Sequence, residues 1–211
     1  MPGIGNLKLQ QYIEQINGFS QKYVDDWDAW LDTAPQDRSE LLGRILRKWQ
    51  ACRPNSMRRI KAEAAHNAPY LEDLVAQAAP HIEMLQDFNI QDGIPFVNDH
   101  INALAQLWDI FQNLSHDGRA NGGRTGVVGI SKAVLLLTDG RVGPAFDKCV
   151  KKNIGVATIF SAEQWIEALY LVSKDISNFE RKNDTTLQAA TPQPFAELNA
   201  GRIYDMALGP R

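Results

Sequence analysis

The sequence of 211 residues is poor in the residue types that mark disulfide-rich and metal-binding proteins. It contains only two cysteines, Cys52 and Cys149, which lie far apart and in no CxxC spacing. This pattern argues against a disulfide framework and against a cysteine-based zinc site, and it predicts two free thiols. The four histidines are scattered, so we expect neither a metal nor another cofactor.

Long apolar runs and a secretory leader are also missing from the sequence. No stretch approaches the roughly 18 unbroken apolar residues that indicate a membrane-spanning helix. The first residues, MPGIGNLKLQQYIEQ, lack a basic region followed by an apolar region, which a signal peptide requires. We therefore expect a cytoplasmic protein without membrane contact.

The net charge is small, but the charged residues are unevenly distributed along the chain. The net charge is −3, yet residues 118–153 contain seven basic and two acidic side chains, a local +5 that leaves −8 for the rest. Such a basic segment on an acidic protein favours a site for an anion or a phosphate group. The alternative is that loops and helix C-termini simply attract lysine and arginine.

The spacing of the apolar residues predicts an all-α protein. Steps of three and four recur along most of the chain, and we find no convincing pair of strands. We expect one multi-helix domain, residues 1–211, with an N-terminal helical subregion at 1–67, a core at 69–183 and a C-terminal segment, 184–211, that docks on the core. Gly18 is expected to kink or split the first long helix.

Several element boundaries follow from capping and breaking residues. Ser56 is predicted to start a short charged helix that runs to about His66, and Pro80 is expected to kink or interrupt the helix that follows Pro69. A helix at about 129–138 is followed by the turn DGRVGP and by a short helix with Gly155 as its C-cap.

Glycines precede the predicted helix at 129–138. Backbone N–H groups at a helix N-terminus lack partners within the helix, and the helix dipole favours an anion there. We therefore predict an anion-binding or nucleic-acid-binding element whose residues are Arg124, Gly126, Gly129, Ser131 and Lys148. Such an element binds backbone phosphates without reading the bases. The alternative is a glycine loop followed by an ordinary core helix.

One segment resembles the helix-hairpin-helix DNA glycosylase superfamily. The resemblance lies in the glycines of Gly126-Val127-Val128-Gly129, the apolar helix around Ala133, the Gly/Pro turn and the run Pro144-Ala145-Phe146-Asp147-Lys148-Cys149-Val150. It covers about residues 126–155, less than a sixth of the chain. In that family an aspartate begins the helix after the hairpin, and Asp147 occupies the similar place.

The resemblance implies a catalytic chemistry for two residues. Lys132 lies near the position of the lysine that attacks the sugar in bifunctional members, and Asp147 would stabilise the developing positive charge. Trp49, Trp108 or Trp165 would then line the pocket for a flipped base. Aligning Ala133 with the family's alanine instead places Ser131 at the position of the lysine.

Three functions therefore remain open. The first is a non-catalytic helical protein that binds DNA through its backbone phosphates; the second is a glycosylase/lyase-like enzyme that uses Asp147 and Lys132. The third is an interaction or defence-associated protein with a protein partner or a second copy of itself. Simpler roles are a helix N-cap for Asp147, a solvated surface position for Lys132, and an i, i+3 pair between Arg202 and Asp205.

Overall fold

The computed structural model describes residues 3–34, 37–53, 56–63, 68–92, 96–116 and 124–210. Ten α-helices lie in these ranges: α1 Leu9–Asn17, α2 Gln21–Asp32, α3 Arg38–Lys48, α4 Leu71–Met84, α5 Asn98–Phe111, α6 Val127–Leu137, α7 Lys148–Ile154, α8 Ala162–Asn183, α9 Leu187–Ala190 and α10 Ala200–Leu208. The described residues contain no strand beyond one isolated bridge between Met57 and Ser115. The all-α prediction is confirmed.

The helices share one hydrophobic core, to which all ten contribute buried side chains. α6 is buried on nearly all sides, since all of its residues except Val128 and Leu137 are buried. α5 packs against α4, α6 and α8, while α3 packs against α2, α4 and α6. No helix of the described ranges is long and apolar enough to cross a membrane.

Several local predictions are confirmed. The first helix is split at Gly18, which is the C-cap of α1. Gly155 ends α7 with a left-handed backbone, φ 74°, a conformation that glycine adopts without strain. Both cysteines are free. The division into the subregions 1–67, 69–183 and 184–211 remains a prediction.

One local prediction is wrong, and another is wrong in one of its two alternatives. Within the described part of the predicted helix from Ser56, only a single 3-10 turn forms, at Lys61–Glu63, and residues 64–67 lie outside the description. The segment before this turn is not helical: Met57 forms the isolated bridge with Ser115, and Arg58 N–H donates to the Leu114 carbonyl. α4 continues through Pro80 for one more turn, so this proline does not interrupt the helix, and the alternative of a kink stays a prediction.

The segment between α6 and α7 is held by α10. Residues 142–146 of this segment are all buried. A Cβ on Gly201 would lie 2.4 Å from the Gly140 carbonyl oxygen and 2.7 Å from the backbone of Gly143, so α10 and the turn approach each other backbone to backbone. Asn199 adds a side-chain hydrogen bond to the Asp139 carbonyl, 2.8 Å. α10 is therefore in close contact with the turn after α6.

Candidate functional site

Lys132 lies inside the protein, with 7% of its surface exposed. Its Nζ donates a 2.5 Å hydrogen bond to the backbone carbonyl of Trp49, the C-cap residue of α3. The positive charge thus sits at the negative end of a helix dipole, which is a favourable place for it. The expectation of a solvated lysine is wrong, because α6 is buried on nearly all sides.

Gly129 belongs to the same contact, because it lies one turn before Lys132. A Cβ at this position would lie 2.6 Å from the carbonyl oxygen of Ala51 and 2.3 Å from the side chain of Thr125. The glycine therefore allows α6 to approach the turn that follows α3. This close approach accounts for the glycine on packing grounds alone.

Ser131 connects α6 to the segment before α7. Its hydroxyl donates to the Val127 carbonyl, 2.7 Å, and accepts from the Phe146 backbone N–H, 2.9 Å. The side chain is buried, so its hydrogen bonds are internal. The second of these bonds fixes the backbone directly before Asp147.

Asp147 is the N-cap of α7. Its Oδ1 accepts from the backbone N–H groups of Cys149, 2.8 Å, and Val150, 2.9 Å. The side chain is partly exposed, and no ion pair of 4.0 Å or less joins it to Lys132 or to another described residue. The predicted N-cap role is confirmed.

Arg202 and Asp205 are two further charged residues of this region. Together with Ser131, Lys132 and Asp147 they form what is called the cluster below. Arg202 and Asp205 on α10 form the i, i+3 pair that the sequence suggested, with Nη1 and Oδ2 2.7 Å apart. Arg202 also donates to the Tyr23 carbonyl, 2.9 Å, and Asp205 accepts from the Ala145 N–H, 3.1 Å. The pair therefore joins α10 both to α2 and to the segment before α7.

Electrostatics couple the members of this cluster. Burial lowers the pKa of the Lys132 amine, and the charges of Asp147 and Asp205 act in the opposite direction. Burial raises the pKa of Asp205 to about 6, although Arg202 opposes this shift. Burial also raises the pKa of the Tyr23 phenol, and Asp147 and Asp205 add to the shift. Shifted pKa values that gather in one place are typical of functional sites, and structural ion pairs also produce them.

The predicted site residues differ in how far they are exposed to solvent. Arg124, Gly126 and Lys148 are exposed, whereas Gly129, Ser131 and Lys132 are buried. Arg124 contacts the side chain of Gln112, with 3.3 Å between Nη1 and Oε1. The structure thus divides the predicted residues into a buried group and an exposed group at the starts of α6 and α7.

The three tryptophans proposed for a base pocket are core residues. Trp49, Trp108 and Trp165 are each at most 4% exposed, and the ring centroids of Trp108 and Trp165 lie 6.0 Å apart with the rings tilted by 35°. None of them is available in this conformation as an open stacking platform. No group of three or more histidine, cysteine, aspartate or glutamate side chains gathers as a metal site in the described ranges.

Sequence reasoning missed Tyr23 and the Trp49 carbonyl as partners of the cluster. Tyr23 lies on an apolar stripe, where an aromatic residue indicates core packing, and a backbone carbonyl leaves no signal in a sequence.

Comparison of the chain with protein families, with curated proteins and with solved structures finds no match.

Proposed function

We propose that this protein binds nucleic acid through the phosphate backbone and performs no chemistry on it. The observation that carries the proposal is the start of α6, where no side chain caps the helix and Gly126 and Arg124 are exposed. Uncapped N–H groups and the helix dipole favour an anion at this end, and Arg124 adds a full positive charge.

The buried residues support the non-catalytic form of the proposal. The Lys132 amine is bound to the Trp49 carbonyl, and Asp147 uses one carboxylate oxygen for the N-cap of α7. A sugar would have to reach the amine of a lysine residue that is only 7% exposed. Both residues therefore have structural roles that explain their positions.

Binding should be measured by fluorescence anisotropy of a labelled duplex over a series of salt concentrations. We expect affinity to fall as salt rises, because counterions are released from the phosphates on binding. Arg124→Ala should weaken binding and reduce the slope, whereas Lys174→Ala on α8, a change of equal charge at an exposed position, should leave both unchanged.

A pair of variants at Gly126 tests the helix end itself. Gly126 is the N-cap of α6 with an extended backbone that other residues adopt. Gly126→Asp and Gly126→Asn should both stabilise the fold slightly as caps. The asparagine should weaken binding, since its side-chain oxygen competes for the same N–H groups, and the aspartate should abolish binding, since it also places a negative charge where the phosphate would sit. Unchanged binding in the aspartate variant, or no binding at low salt, would contradict the proposal.

A glycosylase/lyase-like activity is the second candidate. It is favoured by the lowered pKa of Lys132, since a neutral amine is the nucleophile that such chemistry needs. The amine would attack the aldehyde carbon of an abasic sugar, lose water and form an imine, which borohydride reduces to a stable amine. A trapped complex with abasic DNA that disappears in Lys132→Ala would establish this activity and refute the non-catalytic proposal.

A further inference from the structure

A cavity of about 550 Å³ lies between α8 and the 3-10 turn Ile4–Asn6. This volume is within the range of sites for small organic ligands. Gly5 allows the two elements to lie close together, because a Cβ at this position would be 2.7 Å from Oδ1 of Asp175 on α8. The Gly5 backbone N–H donates to the same oxygen, 3.1 Å, so this wall of the cavity is fixed to the helix.

The charged side chains that line this cavity are mainly basic. Lys174, Arg181 and Lys182 contribute three positive charges, and Asp175 is the one acidic residue among the described residues of the lining. All three basic residues are exposed, and none forms an ion pair with a described residue. Like charges that face one cavity repel one another, so an anion placed between them is stabilised.

The oxygen acceptors of the cavity wall are already in use. Asp175 accepts from the Gly5 N–H through Oδ1 and from the Tyr204 hydroxyl through Oδ2, 2.8 Å. The Asn6 carbonyl accepts from Nζ of Lys182, 2.6 Å. A cation in the cavity would therefore meet no carboxylate oxygen that is free of hydrogen bonds, and the surplus of positive charge remains.

The polar groups that remain free at the cavity are donors. Nη2 of Arg181 donates to Oδ1 of Asn178, 2.8 Å, and the Asn178 NH₂ group has no acceptor among the described residues. The Lys174 ammonium group forms no hydrogen bond to a described residue either, and its contact is with the Tyr170 ring, 4.4 Å from the centroid. Lys174, Asn178 and Arg181 are exposed lining residues, so a ligand in the cavity can reach their donors.

We propose that this cavity binds a phosphate monoester group through Lys174, Asn178 and Arg181. Such a group has three acceptor oxygens and a charge close to −2 at neutral pH, which matches three donor side chains and a lining with two excess positive charges. A carboxylate or a phosphodiester carries one charge only. The proposal is independent of the nucleic-acid function, because none of these residues belongs to the starts of α6 and α7, and a duplex without terminal phosphates contains only diesters.

Three probes at constant ionic strength test the chemistry of the ligand. Glycerol 3-phosphate is a monoester, dimethyl phosphate is a diester with a single charge, and acetate is a carboxylate. NMR titrations followed through the side-chain NH₂ signals of Asn178 measure binding, and Asn178→Ala identifies these signals by their disappearance. Glycerol 3-phosphate should move the signals, and the two singly charged probes should bind more weakly by about tenfold or more.

A double variant on α8 tests the two basic donors at exposed positions, where folding is not at risk. Lys174→Gln with Arg181→Gln should weaken glycerol 3-phosphate by about tenfold or more and leave the stability of the fold unchanged. Arg44→Gln with Lys152→Gln is the matched control, since it removes the same charge from exposed positions that do not line the cavity. The control should leave the affinity for the monoester unchanged.

The group can come from a small phosphate ester or from the 5′ end of a nucleic-acid strand, and one comparison separates these sources. If a 5′-phosphorylated strand binds more tightly than the same strand without the phosphate, and glycerol 3-phosphate removes the difference, the site takes strand ends. If the two strands bind equally while glycerol 3-phosphate binds, the site takes small esters. No binding of glycerol 3-phosphate at millimolar concentrations, equal affinity for dimethyl phosphate, or equal weakening in the two double variants would overturn the proposal.

Discussion

Lys132 and Arg202 are both buried basic residues, but the protein compensates their charges in different ways. Arg202 contacts the Asp205 carboxylate and the Tyr23 carbonyl, and its guanidinium lies over the rings of Trp27 and Phe19 at 4.6 and 5.0 Å. Lys132 has one hydrogen-bond partner, and that partner is a neutral carbonyl. The charge of Arg202 is in contact with a carboxylate, whereas the hydrogen bond of Lys132 goes to a neutral carbonyl at the end of a helix.

The difference follows from the chemistry of the two side chains. A guanidinium is planar, carries five donors and stacks on aromatic faces, so it can remain charged inside a protein when its neighbours match. An ammonium group is a compact charge that loses its proton more readily on burial. We therefore expect Arg202 to contribute more than Lys132 to the free energy of unfolding. Lys132 is the residue that we expect to lose its proton more readily.

The largest effect is expected for Arg202→Met. The variant removes the partner of Asp205 and leaves a carboxylate that is 5% exposed without a cation, so we expect a loss of about 3–5 kcal/mol in the free energy of unfolding. Urea unfolding followed by circular dichroism measures this loss. The double variant Arg202→Met with Asp205→Leu should recover part of it, and a single-variant loss below about 1 kcal/mol would contradict the comparison.

Gly201→Ala is expected to have the next largest effect. Its methyl group would lie within 2.7 Å of the backbone of Gly140 and Gly143, so α10 must move away from the turn and carry Arg202 with it. We expect a loss of about 2–3 kcal/mol. Gly155→Ala is the matched control: nothing lies within 4 Å of the added carbon, and only the strain of the positive φ, about 1 kcal/mol, remains. Equal losses in the two variants would refute a close backbone contact at Gly201.

The sequence was sufficient for the class of fold and for most helices, because apolar residues at steps of three and four determine which faces are buried. Leu42, Ile45 and Leu46 of α3 and Trp49 at its C-cap follow such steps, and all four are buried. Local signals failed where a distant partner decides the structure. The residues after Ser56 form a backbone hydrogen bond to Leu114 instead of a helix, and nothing in the local sequence announces that partner.

Lys132→Met should have a smaller effect than Arg202→Met, because it removes one hydrogen bond to a backbone carbonyl and no ion pair. We expect a loss of about 1–2 kcal/mol, measured in the same way. A loss as large as that of Arg202→Met would mean that Lys132 is paired more strongly than its single bond indicates.

The pH dependence of stability separates the two residues further. Burial lowers the pKa of Lys132 in the folded state below the ordinary value of 10.5, so the folded protein releases this proton first as pH rises. Between the two pKa values the unfolded chain binds more protons, and stability must therefore rise with pH. The difference between wild type and Lys132→Met should widen in favour of the wild type up to about pH 10.5 and then level off. A constant difference would place the Lys132 pKa at its ordinary value.

The candidate site could be predicted only in part. The i, i+3 spacing of Arg202 and Asp205 and the start of α7 at Asp147 are visible in the sequence, because both are local. The contact of Lys132 with Trp49 joins positions 83 residues apart, and it depends on how closely Gly129 allows α6 to approach the end of α3. Such a distance is set by packing and leaves no pattern that spacing alone could reveal.

The smallest effect is expected at Asp147, which influences Lys132 only through its charge. Asp147→Ala removes the cap of α7 and should reduce the free energy of unfolding by about 1 kcal/mol. Asp147→Asn keeps an oxygen that can accept from the Cys149 and Val150 N–H groups, so stability should be nearly unchanged. The Lys132 pKa should fall further in both variants, since the carboxylate that favours the ammonium form is gone. NMR titration of the Lys132 side chain measures this shift. A lower pKa in the alanine variant alone would mean that the cap, and not the charge, acts on Lys132.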